Sequence, residues 1–117
     1  MAFEEYKKQP VKRSAQAFVS VNKSGMISIS RSAYDRWFSE YSGVVFLFDP
    51  ETKAFALRPT NSEERHVRAI RSNSGNYQIS GGSFFRDVGY PLPERAVRFS
   101  LEWDDQIEAF ICREIGT

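Results

Sequence analysis

The sequence predicts an α+β, mainly β fold in which two βαββ units pack face to face as one domain. Three observations predict it. Ser24-Gly25-Met26-Ile27-Ser28-Ile29-Ser30 and Ser74-Gly75-Asn76-Tyr77-Gln78-Ile79-Ser80 carry Ser, Gly, Ile and Ser at the same places, fifty residues apart. Each is followed by a stretch of helical character, 31–38 and 81–88, with Arg36 and Arg86 in register. Downstream, residues 49–58 (DPETKAFALR) and 104–113 (DDQIEAFICR) both run from an Asp through Ala-Phe to an Arg. Units of forty to fifty residues are too small to build a good core alone, so residues 18–59 and 66–114 are expected to share one interior.

Element by element, residues 1–17 form a polar, Pro10-containing arm outside the repeat, with Lys7, Lys8, Lys12 and Arg13 close together. A single domain of two repeats is expected over 18–117. Phe18 to Val21 alternates apolar and polar as a half-buried strand does, and Asn22-Lys23-Ser24-Gly25 supplies the turn that reverses it. Met26 to Ser30 returns. Ser30 or Ser32 caps the next helix, whose Tyr34, Trp37, Phe38 and Tyr41 recur at helical spacings and predict an aromatic inner face. Val44 to Phe48 and Ala54 to Arg58 read as a hairpin stopped by Pro59. After the polar join 60–65, the second unit repeats the order: strands near Val67 to Arg71 and Tyr77 to Ser80, a helix around Ser83 to Val88, and strands Ala96 to Trp103 and Ile107 to Arg113. Gly89-Tyr90-Pro91-Leu92-Pro93 lengthens and stiffens the second helix-to-strand connection.

Composition narrows the function classes. A 41% hydrophobic, 15% aromatic chain can fill a core, while no apolar run approaches the roughly eighteen residues of a membrane span. The start lacks the basic-then-apolar order of a secretory signal, so the expected home is the cytoplasm, with no membrane partner. Cys112 is the single cysteine and lies in an apolar run, which predicts a small core residue and excludes an internal disulfide. The single histidine, His66, has no second histidine or cysteine near it in sequence for a metal or nucleophilic system, and neither Gly25 nor Gly75 sits in a phosphate-loop pattern. These absences point away from an enzyme and from a cofactor. Residues 1–74 hold twelve Lys and Arg against eight Asp and Glu; residues 75–117 hold four against seven. That polarity suits one face meeting phosphate and another avoiding it.

Gly25-Met26-Ile27-Ser28-Ile29-Ser30-Arg31 through Phe55-Ala56-Leu57-Arg58-Pro59 resembles the swapped-hairpin domain of the AbrB transition-state regulators and MazE antitoxins, the SpoVT-AbrB type. The likeness covers 18–59 well and 66–114 loosely. It departs where Arg31 and Ser32 replace the proline that often precedes the family's helix, and again at Gly81-Gly82. In that family two units from separate chains interleave into one small barrel that binds DNA. The resemblance therefore implies a single-chain pseudo-two-fold swapped-hairpin barrel in which two fused copies supply both halves.

It also implies double-stranded DNA as partner, in transcriptional or mobile-element control. The contacts would come from Lys23, Arg31 and Arg36 in the first copy and Arg68, Arg71 and Arg86 in the second, with Lys7, Lys8, Lys12 and Arg13 on the arm. Asn73 and Gln78 have the chemistry to read adenine edges. The alternative is a protein-binding adaptor, antitoxin-like or phage-type, anchored by the aromatics of the second unit, with Phe85 and Tyr90 exposed for that role. Either reading admits a monomer or a further homo-oligomer.

Overall fold

A computed structural model describes residues 17–115. The readings of the arm, including Lys7, Lys8, Lys12 and Arg13, lie outside the described residues. The elements run β1 (Phe18–Val21), β2 (Met26–Ile29), a first helix made of α1 (Arg31–Ala33) and a π-helical turn (Tyr34–Phe38), β3 (Gly43–Asp49), β4 (Ala54–Thr60), β5 (Arg68–Ala69), β6 (Arg71–Asn73), β7 (Asn76–Ser80), α2 (Gly82–Val88), β8 (Val97–Asp104) and β9 (Ala109–Glu114). The protein is mainly β. Its strands form one antiparallel sheet in the order β5-β3-β4-β9-β8-β1-β2-β7-β6, rolled into a nearly closed barrel.

Closure depends on a single residue. The expected strand 67–71 is two short strands, because the chain leaves the edge of β3, to which β5 pairs, and joins the edge of β7, to which β6 pairs. Ile70 makes the step, its N–H donating to the Ser42 carbonyl at 2.9 Å. The two ends of the sheet are thus consecutive in the chain, which leaves little edge for another chain to pair with.

Alternation along the strands sends one set of side chains inward. Val19, Val21, Ile27, Ile29, Ile79 and Phe99 are buried from β1, β2, β7 and β8, and Val44, Phe55, Leu57, Phe110 and Cys112 from β3, β4 and β9. Burial pushes the Cys112 thiol far up, as its expected core position implies. β4 runs past Pro59 to Thr60, where the expected hairpin stopped. Pairing of β4 with β9 covers only Phe55 to Leu57, so the missing N–H of Pro59 falls where that ladder has ended.

The first helix is capped as expected: Ser30 Oγ accepts from the Ala33 N–H at 3.2 Å and also from the Phe18 N–H at 3.1 Å, tying the cap to β1. The wider π turn puts Ala33 and Phe38, five apart, both in the core. Tyr34 stacks on Tyr77 with centroids 3.6 Å apart, while Tyr41 lies past the helix and is exposed, outside the predicted inner face. Helix α2 ends at Gly89, whose left-handed φ of 73° lets its N–H reach the Arg86 and Phe85 carbonyls.

The two long hairpins turn alike. Asp49 Oδ1 accepts from the Glu51 N–H at 2.9 Å and Asp104 Oδ1 from the Gln106 N–H at 2.8 Å, and the fourth residue after each, Lys53 and Glu108, has a left-handed φ of 65° and 54°. The Ser-Gly turns also match in backbone, with φ of 87° at Gly25 and 85° at Gly75.

Candidate nucleic-acid interface

Residues alternating with the buried ones face outward, and strand register decides which of them become neighbours. Ser20 of β1 is opposite Arg98 of β8 and Ser28 of β2; Ser28 is opposite Gln78 of β7; Gln78 is opposite Arg71 of β6. Across five strands this makes a row Arg98–Ser20–Ser28–Gln78–Arg71, about 19 Å long at four strand spacings of roughly 4.8 Å. The middle is small and half-buried, the two arginines exposed, and no carboxylate interrupts the row. The Arg98 guanidinium lies 4.4 Å over the Phe18 ring centroid, a contact that orients it.

Lys23 lies in the turn where β1 passes into β2, and Arg86 lies on α2, whose start packs on that turn. Asn22 builds that turn: its Oδ1 accepts from the Ser24 N–H at 3.0 Å, the Ser24 hydroxyl at 2.8 Å and the Met26 N–H at 2.9 Å, leaving the exposed Lys23 at the tip. The start of α2 packs directly on the turn. The Gly81 N–H donates to the Gly25 carbonyl at 3.1 Å, and a Cβ on Gly25 would fall 2.6 Å from Gly82 Cα. Gly81-Gly82, the point of departure from the swapped-hairpin pattern, is therefore a close backbone approach that admits no side chain. Arg86 folds back over this joint, donating to Ser83 Oγ at 3.4 Å.

The remaining predicted cations divide differently. Arg31 pairs with Asp35 at 3.4 Å, both well exposed, an i,i+4 pair of the kind that does little but solvate a helix. Arg36 lies beside Glu40 and Trp37 in a separate cleft. Arg68 is half-buried and directs its guanidinium to the Arg65 carbonyl at 3.4 Å. The structure thus puts Arg86 on the helix that packs against the Lys23 turn and Arg71 in the row with Gln78, while Arg31, Arg36 and Arg68 make the separate contacts just described. Gln78 lies in the row; Asn73 is exposed at the start of the Ser74-Gly75 turn.

Arg98 is the residue the sequence analysis missed. The alternation Val97-Arg98-Phe99 would have placed it outward, but nothing local makes it a neighbour of Ser20. The opposite side of the barrel, around β4 and β9, has another character. A hollow of about 440 Å³ there is lined by Leu47, Ala56, Ile107 and Ile111, with the acids Asp49 and Asp104 and the basic Arg113 around it. The Glu51 N–H bond holds the Asp49 carboxyl below its ordinary value, with smaller help from Thr52, so it is firmly anionic.

The proposed partner anchors need correction. Phe85 is wholly buried, wedged by edge contacts against Phe55 at 5.1 Å and tilted against Tyr90 at 5.1 Å. It faces inward because α2 lies against the barrel interior, with Phe84 stacked on Phe46. Tyr90 is half-buried, and burial followed by the Glu114 charge pushes its hydroxyl up. The large apolar side chains left exposed among the described residues are Tyr41 and Trp103.

Among the described residues no group of three or more His, Cys, Asp or Glu is placed to hold a metal ion, and no helix is long and apolar enough to cross a membrane. His66 is exposed, 3.5 Å from Glu64. Comparison with protein families, characterised proteins and solved structures finds no match for this chain.

Proposed function

We propose that this chain is a non-enzymatic DNA-binding protein of AbrB-like type, a fused pair of βαββ units that binds duplex DNA through the outer face of β8, β1, β2, β7 and β6. Strand pairing supports the fused-pair reading. The β2–β7 ladder is symmetric about Ser28–Gln78: Ile27↔Ile79 and Ile29↔Tyr77 exchange when fifty is added to or taken from each number. The β4–β9 ladder is symmetric in the same way about Ala56–Ile111, with Phe55↔Cys112 exchanging for Leu57↔Phe110 at a shift of fifty-five. β1 pairs with β8 as β5 pairs with β3. A two-fold relation between the units would account for the two symmetric ladders, with β1–β8 and β5–β3 corresponding at a register offset of one.

The observation that carries the functional reading is the carboxylate-free row centred on Ser28–Gln78 with Arg98 and Arg71 at its ends. Arginines so spaced neutralise phosphates, and short hydroxyl side chains between them let a backbone approach closely. Lys23, exposed in the turn that joins the central strands β1 and β2, adds a cation, and the acids Asp49 and Asp104 lie with Arg113 around the hollow by β4 and β9. The regulatory setting, transcriptional or mobile-element control, follows from the AbrB-like reading. Fluorescence anisotropy of the full chain against a random duplex at two ionic strengths tests the proposal. Binding at low salt that weakens steeply with added salt is expected; no binding at low salt overturns it.

A further inference from the structure

Tyr41 and Trp103, exposed to 40% and 49%, lie in one cleft of about 310 Å³ between the end of the first helix and the β8–β9 hairpin. Phe110 is its floor: its ring centroid is 4.8 Å from that of Trp37 and 4.9 Å from that of Trp103. Pro59 also lines it. Trp103 is held in this pose by its indole N–H, which donates to Asp105 Oδ1 at 2.6 Å.

The lining residues carry more acid than base, and Arg58 lies behind Glu108 with its guanidinium committed to the Ile107 and Glu108 carbonyls. Asp35, Glu40 and Glu108 line the cleft against Arg36. Asp35 is engaged by Arg31, whereas Glu40 and Glu108 have no ion-pair partner among the described residues. Aromatic walls attract a cation through their ring faces, and free carboxylates at the mouth complete its pairing. We propose that this cleft receives a lysine or arginine side chain presented by a partner protein. The site stands apart from the serine-arginine row, so the two can be tested separately.

The chain holds two tryptophans, Trp37 and Trp103, and both line the cleft, so tryptophan emission of the unmodified protein reports its occupancy. The probe is the peptide acetyl-Ser-Gly-Arg-Gly-Ser-amide, with its glutamate counterpart as control. A saturable emission change with the arginine peptide, absent with the glutamate peptide, is expected. Binding should weaken about tenfold in the Glu40→Gln/Glu108→Gln variant, which keeps both reporters, and vanish in Trp103→Ala when followed by amide chemical shifts. DNA affinity of either variant should not fall. No saturation by the arginine peptide at about 20 mM, equal binding of the glutamate peptide, or binding indifferent to these substitutions would overturn the proposal. A change driven by protein concentration alone would also do so, by assigning the cleft to a second copy of this chain.

Discussion

Gly25 and Gly75 occupy the same place in the same seven-residue motif and adopt the same left-handed backbone, yet their surroundings are opposite. Gly25 is sealed against Gly81 and Gly82, where a Cβ would collide with backbone at 2.6 Å; Gly75 has nothing within 4 Å of that position. The first turn is a joint between β1–β2 and α2, and the second is a free hairpin tip next to the exposed strand β6. Repeated sequence here marks repeated local geometry, while tertiary packing gives each copy its own role. The first copy anchors the barrel. The second leaves Arg71 accessible beside its open turn.

Substitutions can break or sharpen that contrast. The largest effect is expected from Phe85→Ala, which empties the site holding α2 against the joint: about 3–5 kcal/mol of stability, measured by urea unfolding. Gly25→Ala should cost about 3 kcal/mol, combining a left-handed backbone without glycine with an overpacked contact against Gly82. Gly75→Ala carries only the backbone part, about 1 kcal/mol, and Gly75→Asn less. Equal losses at Gly25 and Gly75 would remove the distinction between joint and free tip.

The smallest effect concerns the two Asp-initiated turns. Because the folded Asp49 carboxyl is held below its ordinary value, its stabilising bond is present above that value and lost as pH falls through the lowered one. Asp49→Asn should therefore melt slightly below the unsubstituted protein at pH 7, and the gap should close toward pH 2. A gap unchanged across that range would deny the turn its carboxylate contribution.

Much of this architecture was legible because local chemistry determines it. Asn22 to Gly25 announced a reversal, Ser30 announced a helix cap, and the alternation of Phe18 to Val21 announced a half-buried strand. What failed depends on partners distant in sequence. The switch at Ile70 exists because two different strands offer edges to one segment, which no local pattern records. Phe84 and Phe85 are adjacent on a short helix, and both find the interior because α2 lies against the barrel. The row from Arg98 to Arg71 draws on strands eighty residues apart in the chain, so alternation reveals its outward residues one strand at a time and never their adjacency.

The most direct measurement is the salt dependence of duplex binding by the full chain and by its Arg71→Ala/Arg98→Ala variant. Each phosphate contact contributes close to −0.9 to the slope of log K against log salt. Binding at low salt and a slope shallower by about two in the variant are expected, with unfolding stability unchanged. An unchanged slope and affinity in the variant would contradict the proposed interface.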